Sequence, residues 1–133
     1  MNTISLPGED TPRQMIEELI GESDRACAIV GVAYLDDLLL QILEQYLVEN
    51  EEAYRDLLDL DNANALLSSF GSRIIMACAI GIISPTDLKV LRKLKEIRNR
   101  FAHRMDMTFS HSKILSLIQG LQDLLPSVET QGS

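Results

Sequence analysis

The segment KEIRNRFAH, Lys95 to His103, crowds cationic groups beside one histidine in a chain whose formal net charge is -8. From Leu88 to Arg104 there are seven basic residues, Lys89, Arg92, Lys93, Lys95, Arg98, Arg100 and Arg104, against the single acid Glu96. That segment is net +6, so a total of -8 leaves -14 on the rest of the chain. One cationic helix on an acidic body suits an anionic partner, either a phosphate backbone or an acidic protein surface. The alternative is a solvated helix face whose charges offset the acidic bundle.

Projection at about 100° per residue sorts this helix into two sides. With Leu88 at zero, Val90, Leu91, Leu94, Ile97 and Phe101 fall between about 180° and 300° and form the apolar stripe. Lys89, Arg92, Lys93, Arg100 and Arg104 lie opposite and are the candidate binding cations. Arg98 is the exception. It projects near 280°, inside the apolar stripe. A guanidinium sent into a core needs a partner or a pocket. One reading is a structural ion pair with Asp36 or Asp37; the other is a cation held in a cleft or interface. His103 lies about 140° round the helix from Arg98. A shared site therefore requires a bend near Asn99–His103 or a contribution from two protomers.

Other polar residues have plainer readings. Asp24 and Arg25 begin a long apolar helix, as an N-cap and a surface charge. Asp36 and Asp37 interrupt that helix: exposure explains one, and a basic partner such as Arg98 or Arg73 explains the other. Adjacent helical carboxylates point about 100° apart, which argues against a shared proton. Gly71, just before Arg73, permits a tight turn or a close helix approach. His111 reads as a surface residue. Met76, Met105 and Met107 read as core filler or hinge packing. Two cysteines, Cys27 and Cys78, sit among apolar neighbours as small buried hydrophobes. With two histidines at no ligand spacing, no metal site is expected, and no cofactor. Neither a phosphate-binding glycine loop nor a nucleophile elbow is present.

The elements that must position these residues are helical. Thr11-Pro12 opens a first helix that Gly21 closes. Ser23 or Asp24 caps a second, from about Arg25 to Glu49, apolar almost all round and therefore central. A short acidic helix and a turn at Asp61–Asn64 follow, then an apolar helix around Arg73–Ile80 that Gly81 ends. SPTD, Ser84 to Asp87, is an acidic capping box with Pro at the first helical position, and it opens the cationic helix. A last helix begins near Ser110 and stops at Pro126. No segment alternates with period two long enough for a strand. Aromatics are 5% with no Trp, which suits helix-on-helix packing.

The expected architecture is all-α, a single-domain bundle of five or six helices over residues 11–126. A flexible N-terminus, 1–10, and a flexible tail, 127–133, flank it. The longest apolar run, Ile74–Ile83, is ten residues, short of the ~20 a bilayer needs. With no leader pattern and two isolated cysteines, the expected compartment is the cytoplasm, with no membrane partner. The long helix is apolar on more sides than a small bundle covers, so a homodimer or a protein partner is expected.

Arg98-Asn99-x-x-Ala102-His103 resembles the Arg–x4–His signature of HEPN-type helical domains. In ribonucleases of that type the resemblance implies a dimer with a composite, metal-independent site. His103 would act in acid–base transfer and Arg98 would steady the scissile phosphate, roles that fit their chemistry. A longer match covers about two thirds of the chain: Ser23–Leu47, Leu66–Ser84 and Leu94–His103 look like the mannitol operon repressor family. There Asp24-Arg25 and Phe70-Gly71 match recurring pairs. That resemblance implies a small all-helical bacterial regulator. The chain shows no helix-turn-helix pair with a basic recognition helix, so such a regulator is expected to act through another protein, not by reading bases.

Overall fold

Each helix in the computed structural model, which describes residues 11–47, 49–59 and 61–125, begins at a side-chain cap. Six helices are present among the described residues: α1 Pro12–Leu19, α2 Asp24–Tyr46, α3 Glu51–Leu57, α4 Phe70–Ala79, α5 Pro85–His103 and α6 Ser112–Leu124. Thr11, Ser69 and Ser84 form capping boxes with Gln14, Ser72 and Asp87, while Ser23 and Asn50 cap α2 and α3 singly. Pro12 and Pro85 stand in first turns, where no amide hydrogen is missed. Gly21 and Gly81 follow the ends of α1 and α4 with φ of 91° and 81°, conformations that side chains resist.

The chain is an all-α single-domain helical bundle. The expected flexible ends, 1–10 and 127–133, and the stop at Pro126 lie outside the described residues. Three boundaries differ from the periodicity. α4 begins at Phe70, three residues before Arg73, because the Ser69–Ser72 capping box starts it there. α2 ends at Tyr46 instead of running on to Glu49, since Asn50 starts a new helix by accepting the Ala53 amide. α6 starts at Ser112, two residues after Ser110, because the His111 imidazole is its cap: Nδ1 accepts from the Lys113 amide at 3.2 Å. His111 is thus a capping group.

The core has three parts. Val32, Leu39 and Leu43 of α2 meet Phe70, Ile74 and Ala77 of α4, with Leu88, Leu91 and Leu94 of α5 closing that layer. Ala28 of α2, Ile97 and Phe101 of α5, and Ile114 of α6 form a second part with Met107. Leu40, Leu58 and Leu67 form a third under α3. Each fully buried Leu, Ile or Phe contributes ~1.5–3 kcal/mol, so the α2–α4–α5–α6 layers hold the fold. Met76 and Met107 serve as core filler, but Met105 is 88% exposed and does not. Cys27 and Cys78 are half-buried, short of the full burial expected from their neighbours. α2 is also, by length and composition alone, long and apolar enough to cross a membrane, which run length had overlooked. In this fold it carries α1, α4 and α5.

Candidate functional site

α5 delivers the motif. Its apolar stripe packs on α2 and α4, and α6 lies along a third side, so the helix is held between neighbours. It runs unbroken to His103, with Arg104 as C-cap. The bend that would bring Arg98 and His103 together within one chain is therefore absent. Over five residues the two side chains separate by about 140° and about 7.5 Å of rise.

Arg98 does not pair with Asp36 or Asp37. Arg73 of α4 takes Asp36 instead, Nη1 donating to the carboxylate at 2.7 Å. Arg73 is the buried cation of this fold, 5% exposed, with Nε also donating to the Leu67 carbonyl at 2.8 Å. Asp37 is exposed. The half-buried Arg98 donates through Nε and Nη2 to the side-chain oxygen of its neighbour Asn99, at 3.2 and 2.8 Å. Its guanidinium carbon stands 6.0 Å from the Phe70 ring centroid. An amide oxygen orients a guanidinium without cancelling its charge, so Arg98 keeps its attraction for an anion. His103 is exposed.

The candidate binding cations divide. Lys89 and Arg92 are exposed. Lys93 lies along α6, its Nζ 3.0 Å from where a Cβ on Gly120 would stand. Arg100 is half-buried, with its Nε buried and without a partner. Arg104 is exposed and pairs with Asp106 at 3.1 Å, and this hydrogen bond holds the Asp106 carboxyl below its usual range. The expected open row of five is thus broken by α6, because a helix in mid-bundle shows solvent only one narrow side. Lys95 has a separate seat, its Nζ 2.7 Å from the position of a Cβ on Gly71. Gly71, inside the first turn of α4, thus leaves room for the tip of a lysine side chain, where a tight turn or a close helix approach was expected.

Asp24 and Arg25 correct their plain reading. Ser23 is the cap of α2, so Asp24 is free to accept the Phe109 amide at 2.8 Å. Arg25 donates to the carbonyls of Phe101 and, at 2.6 Å, of Arg104. A guanidinium on the last carbonyls of a helix satisfies acceptors that have no intrahelical donor. The adjacent pair thus fastens the end of α5 and the loop after it. Nothing in local spacing signals this, since partners stand 76 to 85 positions away. Arg25→Ala is expected to lower stability by about 1.5–3 kcal/mol. Hydrogen exchange at residues 104–110 would rise, and unchanged protection there would remove the fastening role.

Among the described residues no cluster of three or more His, Cys, Asp or Glu side chains is placed to hold a metal ion. No protein-family model, curated protein or solved structure matches this chain.

Proposed function

We propose that this chain is a regulator of the mannitol-repressor type, a helical interaction module that docks an acidic partner protein and does not read bases directly. The observation that carries this reading is the seat of α5. A helix packed by α2, α4 and α6 has no free girth to enter a major groove, which needs a helix standing proud of the body. What it offers is a short cationic edge, Lys89 and Arg92, on an otherwise acidic protein. Such an edge suits charge complementarity between protein surfaces.

The test is the double charge reversal Lys89→Glu with Arg92→Glu. Both side chains are exposed, so the folding free energy should change by no more than about 0.5 kcal/mol, as is typical of surface changes. Repression of polyol-use genes in the host, read as transcript level, should fall to that of a deletion strain. Full repression by the folded double variant, or a sequence-specific DNA complex formed by the protein alone at physiological salt, would sink the reading.

A second reading is favoured by one observation, that Arg98 has an amide and not a carboxylate beside it. A metal-independent ribonuclease would use Arg98, Asn99 and His103 from two copies of the chain in a composite site. Its test is RNA cleavage in chelator. Arg98→Ala and His103→Ala should each reduce the rate by about 100-fold or more, the scale of lost acid–base catalysis. Several RNAs left intact by the wild-type protein would dispose of this reading.

A further inference from the structure

Two cations of α5 are packed against the positive end of α4. Lys95 is half-buried, and its Nζ stands 2.7 Å from where a Cβ on Gly71 would be, inside the first turn of α4. Arg98, one turn on along the same face of α5, holds its guanidinium carbon 6.0 Å from the ring centroid of Phe70, the first residue of α4. Aligned peptide dipoles make this helix end partly positive, so it disfavours a cation and favours an anion. Among the described residues nothing offsets the two charges. The first turn of α4 contains no acid, and the carboxylate that reaches this end, Asp36, is committed to Arg73 at 2.7 Å. Neither Lys95 nor Arg98 has an ion pair among the described residues. Asn99 occupies Nε and Nη2 of Arg98 and adds no charge. The place is open to solvent: Ser68 and Ser69 are exposed, and Lys95, Arg98 and Gly71 are each partly so.

We propose that Lys95 and Arg98, at the start of α4, bind the phosphate group of a small phosphate monoester. Two unpaired cations match a dianion, and a monoester carries a charge of about -1.5 to -2 near neutral pH, where a diester carries one. Lys95 supplies a point charge and Arg98 a planar fork for two phosphate oxygens. The capping box uses the amides of Ser69 and Ser72, while that of Gly71, second in the helix, has no acceptor within it and is left for the ligand. Gly71 has a second part in the site, since any side chain there would displace the lysine ammonium. The site lies within one chain and leaves out His103, so it stands or falls separately from the ribonuclease reading. It also omits Lys89 and Arg92, so it does not rest on the regulator reading.

The experiment is a titration of the full chain with methyl phosphate and with dimethyl phosphate in low salt, followed by amide resonances and by melting temperature. Saturable shifts at Ser69–Ser72 and at residues 95–99 are expected with methyl phosphate, and dimethyl phosphate should bind about tenfold more weakly. Lys95→Gln and Arg98→Gln should each weaken methyl phosphate by about tenfold, the scale of one charge-assisted hydrogen bond. Lys113→Gln, an exposed change on α6, should leave it unaltered. A lysine with a merely structural role would lower the melting temperature on removal. Lys95→Gln should instead keep or raise that of the ligand-free protein, because it relieves a cation from the positive end of a helix. Gly71→Ala, which a helix accepts, should weaken methyl phosphate as Lys95→Gln does, and it serves if Arg98→Gln does not fold. Absence of saturable shifts with methyl phosphate overturns the site. Equal affinity in wild type and Lys95→Gln overturns the assignment to these cations. Dimethyl phosphate bound as tightly as methyl phosphate, with single-stranded RNA displacing both, overturns the monoester in favour of a nucleic-acid backbone.

Discussion

Arg73→Ala is expected to lower the folding free energy by about 3–5 kcal/mol, and Arg98→Ala by about 1 kcal/mol or less. Both arginines lie on helices of the inner bundle, and the sequence alone points to Arg98 as the buried one. Their partners reverse that order. Arg73 is sealed at 5% exposure, paired with Asp36 and tied to the Leu67 carbonyl ahead of its own helix. Its removal strands a half-buried carboxylate and frees a carbonyl at once. Arg98 is half-buried, and its partner is a neutral amide on the next residue, so its removal strands no charge. Asp36→Asn combined with Arg73→Met should recover much of the loss, since replacing both partners by uncharged side chains of similar size removes the charge desolvation penalty along with the attraction. Urea unfolding of the four proteins measures this. Equal losses for Arg73→Ala and Arg98→Ala would mean that Asp36 is shared or that Arg98 is the sealed residue.

The exchange of roles between these arginines shows what local pattern carries and what it does not. Caps and helix breakers act within four residues, so Thr11, Ser84, Gly21 and Gly81 were legible, as was the stripe ending in Ile97 and Phe101. Projection placed Arg98 on the packed side of α5. It could not say that this side meets Phe70. The interrupted apolar run of α2 did name Arg73 as one of two candidate partners for a carboxylate there, but only the fold chooses it over Arg98 and assigns it to Asp36, 37 positions away. The Asp24-Arg25 fastening was hidden for the same reason. Asparagine as a guanidinium rest is visible in the Arg98-Asn99 step, but only geometry separates it from a mere neighbour. The breakup of the cationic row by α6 also needed the fold, because a wheel shows angles and not which of them a third helix covers.

Phe101→Ala is expected to cost about 3–5 kcal/mol and to disable whichever function the motif serves. The ring is fully buried and meets Phe109 edge-on, centroids 5.3 Å apart at 71°, within the cluster of Ile97, Met107 and Ile114. Edge-to-face pairs add to area burial, and a void here has no side chain free to fill it. The backbone of the same residue accepts from Arg25, so packing and fastening meet at one position between Arg98 and His103. Phe101→Ala keeps that carbonyl. Any coupling with Arg25→Ala therefore arises from displacement of the helix end and not from loss of the acceptor itself. A double-mutant cycle should show about 0.5–3 kcal/mol of coupling, as expected for residues sharing one backbone shift. Amide resonances of residues 98–111 should move together in both single variants. Additive losses, with resonance changes confined to each mutated residue, would mean that the end of α5 is not held as a unit. Its motif would then be carried by the helix alone.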